Sequence, residues 1–431
     1  MGGLVAAAEL RKRGFSVTIF EAGNKVAGLY GKLQTPFGTQ EMGMHVLYLT
    51  DEHSAHLENI FGADAFHTWS GPAVDLASHR NFGQNFFSTV YPDLRALSNV
   101  EEIRREVLSG NAKTYEPANA LEAVVGRFGK EAGNNVYAPI LQKLWKTNAE
   151  FLTPDAIHCF YDLRRVALWD KEAADLIKND PWFDGVVANP DQNQPHSVVF
   201  ANRTAARFKN HIEDSSGRAN SWLEESGVRI ELGKPAKIFD RRLWVDGVPL
   251  SDNFQACIIA TPIPTMIPGV MHSLDLLELS IYYFQLREPL GKDFPAYYLL
   301  VHENNLLSSR VVNYDAYIPK EDTQEYSVIS VEVVHRPNSR PLTDVIAAEV
   351  KELFPMVGII DSYLLPATLK VPVPSLKNSQ MLEEATLGME NYFSHEALFF
   401  AGMRTDKGIF FSHHTIGLAY DSALDCSRRL T

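Results

Sequence analysis

The chain has 431 residues, 45% hydrophobic and 22% charged, the balance of a globular protein long enough for two or three domains. Forty basic against 53 acidic residues leave a formal charge of −13, and the absence of a basic stripe excludes an ordinary nucleic-acid partner. Three dispersed cysteines, Cys159, Cys257 and Cys426, form neither a disulfide framework nor a metal site, and no apolar run reaches the roughly 18–20 residues that span a bilayer.

The chain opens on Gly2-Gly3-Leu4-Val5-Ala6-Ala7-Ala8, followed by charges and by Gly14, a natural helix stop. Phe15 to Phe20 is a β-branched and aromatic run that predicts a buried strand, and Glu21 terminates it. Helix, strand and terminal acid make the second half of a Rossmann βαβ unit. In that unit a carboxylate about 20 residues beyond the glycines receives a ribose hydroxyl. Gly3 takes the place of the last glycine of the fingerprint. The first strand and first two glycines are expected upstream of Met1. Leu4 to Ala8 is too short for a signal peptide, so the expected compartment is the cytoplasm.

Residues 51 to about 190 carry helical periodicity, with a helix expected from Leu121 to Val136 and an interruption at Tyr137-Ala138-Pro139. Lys143-Leu144-Trp145 follows, with Trp145 expected as a core aromatic. From Phe208 a helix runs to Gly227, then strands are expected at Val228–Leu232, Leu243–Val245 and Ala256–Ala260, closed by Thr261-Pro262. Residues 265 to about 390 alternate as strands, notably Ile281–Leu286, Tyr297–Val301 and Ser327–Val334, and suggest a mixed sheet. At the end, Ala397–Gly402 reads as a buried strand, and Ser412 opens a helix running to about Arg429.

Gly3 to Gly23 resembles the opening of FAD-dependent amine-oxidase-like flavoproteins, which include protoporphyrinogen oxidases, carotenoid desaturases and UDP-galactopyranose mutases. Val26 to Leu33, Thr35 to Gly38 and Met42 to Leu47 resemble the same group's flavin loop, hairpin and Gly-x-His turn. Ala27, Lys32 and Lys146 depart from its usual residues. The resemblance implies an α/β fold, with a Rossmann-type FAD-binding domain (1–60, 195–265 and 392–431) interleaved with an α+β substrate domain. The latter comprises a helical insert (61–194) and a substrate-binding mixed sheet (266–391). It implies FAD as cofactor, with Gly3, Glu21, Ala22, Gly28, Leu29, Gly43, Met44, Ala236, Gly402 and Gly417 at or near it. His45, His413 and His414 are then expected beside the flavin, where imidazoles titrating near 6.5 would steer the proton that accompanies hydride transfer.

Three activities fit that scaffold. The first is an oxidoreductase taking hydride from a C–N or C–C bond of a small molecule. The second is a mutase acting on a nucleotide sugar, for which Arg310 and Arg404 are candidate pyrophosphate ligands, although scattered arginines usually lie at the surface. The third is a flavin-free binding protein. The segment Gly408-Ile409-Phe410-Phe411-Ser412 lacks the Pro-Gly-Tyr-like run that builds an amine cage in the resembling oxidases.

Overall fold

The computed structural model describes residues 1–26, 28–30, 33–43, 45–69, 77–81, 84–86, 91–109, 116–161, 163–190, 204–208, 215–239, 242–250, 254–290, 298–317, 326–392 and 398–431. The N-terminal helix spans Gly2–Lys12, with Arg11 and Lys12 at its carbonyl end. Gly14 takes φ +87°, a conformation that favours glycine, and turns the chain into strand Thr18–Glu21. That strand pairs in parallel with Arg229–Leu232, Thr18 opposite Arg229. A second parallel pair joins Cys257–Ile259 to Leu398–Phe400. Among the described residues no strand lies between the two pairs.

Small residues bring the two terminal helices together. Ala6 of the first helix packs with Ala419 and Ala423 of the C-terminal helix Ser412–Leu430, over Ala401. A Cβ added at Gly2 would stand 3.5 Å from the Ala419 Cβ, so larger side chains here would push the helices apart.

The helical region has its own core, built around Phe128, Tyr137, Leu141 and Trp145. Phe128 and Tyr137 stack with ring centroids 4.1 Å apart. The expected break at Tyr137-Ala138-Pro139 is not a break. Helix Ala120–Ala132 passes through a π-turn at Gly133–Tyr137 directly into helix Ala138–Trp145, and Pro139, which has no N–H to give the preceding turn, follows immediately on the π-turn. The irregular backbone lies earlier, at Gly129 (φ +86°), where the Glu106 carboxylate packs and accepts from Glu131 N at 2.9 Å.

Leu276–Leu286 is the central strand of an eight-stranded sheet, antiparallel to Ser327–His335 on one side and to Ile359–Leu364 and Leu369–Pro372 on the other. Arg310–Asn313 and Tyr298–Val301 extend it, followed by Ala77–Asn81 and Gln84–Phe86. The last two strands come from a stretch expected to carry helices and polar loops; Ala77–Asn81 pairs with Tyr298–Val301, and Gln84–Phe86 pairs in turn with Ala77–Asn81, which overrides a local pattern that has no strand alternation.

Both faces of the sheet are buried. Tyr282, Phe284, Val331 and Val333 pack with Ile346 and Val350 of helix Thr343–Leu353. Ile281, Tyr283, Val312 and Tyr314 face the other way, onto Val46. This two-sided burial explains the nearly continuous apolar run from Ile281.

Candidate cofactor and substrate site

A cavity of about 750 Å³ lies between the two parallel strand pairs. Ser16–Glu21 lines one side, Ala256–Thr261 the other, and the N-terminal helix contributes Gly3, Leu4, Ala6 and Ala7. Gly3, Glu21, Ala22, Gly28 and Ala236, remote from one another in sequence, all line it. Its size is that of a small-molecule or cofactor site, and it runs between the two pairs along the length of strands Thr18–Glu21 and Cys257–Ile259. Glu21 Oε1 accepts from Gly23 N at 2.7 Å, which fixes the carboxylate at the strand's end.

Gly402, Gly417 and Gly43 are not among the residues lining this cavity. A Cβ at Gly402 would overlap the Thr261 carbonyl and stand 3.1 Å from Pro262 N. Here glycine permits two strand ends to touch. Gly417 faces His53, whose Cε1 would be 3.3 Å from an added Cβ. Leu29 is 42% exposed. Gly43 adopts φ +84°, and a Cβ there would stand 2.8 Å from Glu332 Oε1. Met44, like Ala27 and Lys32, lies outside the described residues.

A second locus forms where the Gly43 turn, the start of the C-terminal helix and the inner face of the large sheet meet. His45 is buried, its ring centroid 4.7 Å from that of Tyr30. Burial pushes its imidazole down to about 4, and the nearby Arg310 charge adds to this against a backbone hydrogen bond with Met42. His45 is therefore neutral near pH 7, and the expectation that it titrates there does not hold. His413 meets the Tyr48 ring edge-on at 5.5 Å and lies parallel to Phe411, also at 5.5 Å. His414 is 4.5 Å from His413, and its Nδ1 accepts from Phe410 N at 3.5 Å.

The sheet fastens to this turn through tyrosines. The Tyr283 hydroxyl donates to Glu41 O at 2.6 Å, and that of Tyr314 to Gly43 O at 3.2 Å. Arg310, read from sequence as a surface residue or pyrophosphate ligand, is instead buried. Its Nη2 donates to both oxygens of buried Glu332, at 2.8 and 2.6 Å. Arg404 is likewise committed, its Nε and Nη2 donating to the Asp406 carboxylate at 2.8 and 2.7 Å. Sequence reading missed Tyr283, Tyr314 and Glu332; the available signal was a lone acid inside the apolar Ser327–Val334 run.

Lys143 holds the loop that leads into Arg310. Its Nζ donates to the carbonyls of Val301, Glu303 and Ser308 at 2.6, 2.7 and 2.8 Å. Trp145 is a core residue, 1% exposed.

A Rossmann-like unit assembled from distant stretches of chain, together with a large mixed sheet, is a fold shared with a mutase, a putative protoporphyrinogen oxidase and an amine oxidase of known structure. The family profile of the NAD(P)-binding Rossmann-like domain matches residues 1–73. No curated protein matches the sequence. Among solved structures, reduced UDP-galactopyranose mutase superposes with a TM-score of 0.67 at 13% identity, covering 99% of this chain and 93% of that one. A putative protoporphyrinogen oxidase from Exiguobacterium sp. 255-15 gives 0.59 at 12% identity, with 98% and 96% covered. Cyclohexylamine oxidase from Brevibacterium oxydans IH-35A gives 0.54 at 12% identity, with 100% and 97% covered. At these identities it is the fold that is shared. No helix among the described residues is long and apolar enough to cross a membrane.

Proposed function

We propose that the protein is an FAD-dependent oxidoreductase that takes hydride from a C–N or C–C bond of a small molecule. The observation that carries this reading is the convergence of Gly3, Glu21, Ala22, Gly28 and Ala236 on one cavity of about 750 Å³. In it Glu21 would receive the adenosine ribose, Gly3 and Gly28 would let backbone approach the pyrophosphate, and Ala236 would meet the adenine through its backbone. FAD, when bound, supplies the hydride acceptor. The Gly43–His45 turn and the 19-residue C-terminal helix then frame the reacting side, and the start of that helix offers partial positive charge.

The oxidoreductase reading is favoured over the mutase reading by the state of the arginines. Arg310 and Arg404 are each engaged by a buried carboxylate, whereas a nucleotide-sugar pyrophosphate requires uncompensated cations. The test is the absorbance of the purified protein, its bleaching by dithionite and its recovery on exposure to air or a quinone. Protein that neither carries nor takes up FAD would refute the reading. Conversion of a UDP-sugar by the reduced protein without net electron transfer would replace it with the mutase.

A further inference from the structure

Arg310 is 8% exposed and Glu332 1%, and they stand directly opposite in an antiparallel ladder. Besides its two bonds to Glu332, the guanidinium lies 5.0 Å from the centroid of the Phe160 ring. Among the described residues its Nε–H finds no acceptor. A buried donor left unpaired is costly, about 1–3 kcal/mol, so its persistence calls for an acceptor brought from outside the chain. His45, also 8% exposed, has a second such atom in Nε2. The backbone of Met42 engages the ring, and the imidazole is neutral, so Nε2 is left as an acceptor. The two residues are neighbours: the Arg310 charge acts on the His45 imidazole, and Gly43, two residues before His45, packs its α-carbon against the Glu332 carboxylate that holds Arg310.

We propose that Arg310, held by Glu332, forms with His45 a recognition subsite for an uncharged group carrying an acceptor and a donor, of the carboxamide or lactam type. The subsite rests on the reading of the Gly43–His45 turn as the reacting end of the flavin site. The buried pair sums to zero charge. An anion approaching Arg310 meets Glu332 as well, and a cation meets Arg310, so ions of either sign would lose water without a free counter-charge. A neutral amide keeps the ion pair intact and supplies both missing partners. The same chemistry occurs on the pyrimidine edge of the flavin and on amide-bearing substrates.

Calorimetric titration of the full chain with benzamide, benzoate and benzylamine, in flavin-free and FAD-loaded forms, tests this. Benzamide is expected to bind at least about tenfold more tightly than either ion, a difference of about 1.4 kcal/mol. Binding that survives FAD loading assigns the subsite to substrate, and binding abolished by FAD assigns it to the flavin edge. In Glu332→Gln the guanidinium loses its counter-charge, and preference should move about tenfold or more toward benzoate. Arg310→Lys keeps the charge but lacks the Nε–H, and should weaken benzamide about tenfold without creating a preference for benzoate. Far-ultraviolet circular dichroism checks folding, and if Glu332→Gln does not fold, Arg310→Lys decides. Equal or tighter binding of either ion by the native chain, an unchanged preference in folded Glu332→Gln, unaltered benzamide affinity in Arg310→Lys, or no binding of any probe overturns the proposal. A chain that never takes up FAD yet prefers benzamide would defeat the flavin reading alone.

Discussion

Glu21 and His45 show how one side chain's surroundings set its task. Glu21 ends a strand at the cavity wall, with one carboxylate oxygen already receiving Gly23 N. If the ribose binds there, Glu21→Ala should weaken FAD retention by about 1.5–3 kcal/mol, the worth of a hydrogen bond to a charged group. Glu21→Gln should be milder. Equilibrium dialysis against FAD measures both, and native retention by both variants would move the ribose elsewhere. His45 has the opposite environment. Burial lowers its folded-state value to about 4, whereas the unfolded imidazole titrates near 6.5. Between those values the unfolded chain binds the extra proton, so stability falls as pH drops from about 6.5 toward 4. The expected loss is on the order of 3 kcal/mol over that window. Urea midpoints measured across it should slope for the native chain and flatten for His45→Gln.

At the scale of elements, the decisive contacts are those that join one segment to another. Gly402 lets strand Leu398–Phe400 end against the Thr261 carbonyl. Gly402→Ala should therefore destabilise by at least about 1–3 kcal/mol, the cost of overpacking. Gly388, inside helix Leu376–Tyr392 with no atom of the described residues within 4 Å of an added Cβ, provides the contrast. Gly388→Ala should stabilise by about 0.5–1 kcal/mol through helix propensity. Thermal melts of the two variants should shift in opposite directions. Lys143→Met would leave three buried carbonyls facing an apolar side chain, and should cost about 3 kcal/mol or more while loosening residues 301–308. Denaturant titration of that variant gives the number.

Local signals account for what the chain discloses about itself. The N-terminal helix, the strand ending at Glu21 and the C-terminal helix were legible because glycine stops and apolar runs are short-range patterns. Strand Ala77–Asn81 was not, because only its partner Tyr298–Val301 makes it a strand. Arg310 and Glu332 stand 22 positions apart in the sequence, and only the ladder register sets them face to face. In the same way no local feature announced that Gly402 answers to Thr261.

On the scale of the whole molecule, the nucleotide-type unit draws its strands from residues 18–21, 229–232, 257–259 and 398–400, so the rest of the chain is threaded through it. Ligand binding to that unit should therefore stabilise the entire chain. FAD at a hundred times its dissociation constant adds about 2.7 kcal/mol, and calorimetry should show the main transition move upward. The cavity between the two strand pairs has a further consequence. Among the described residues neither ladder has a strand on the side that faces it, and Ala6, Ala419 and Ala423 of the terminal helices pack together over Ala401, the residue after strand Leu398–Phe400. The pairs thus resemble the jaws of a clamp hinged on packed alanines, and hydrogen–deuterium exchange at Thr18–Glu21 and Cys257–Ile259 should slow when a ligand closes them.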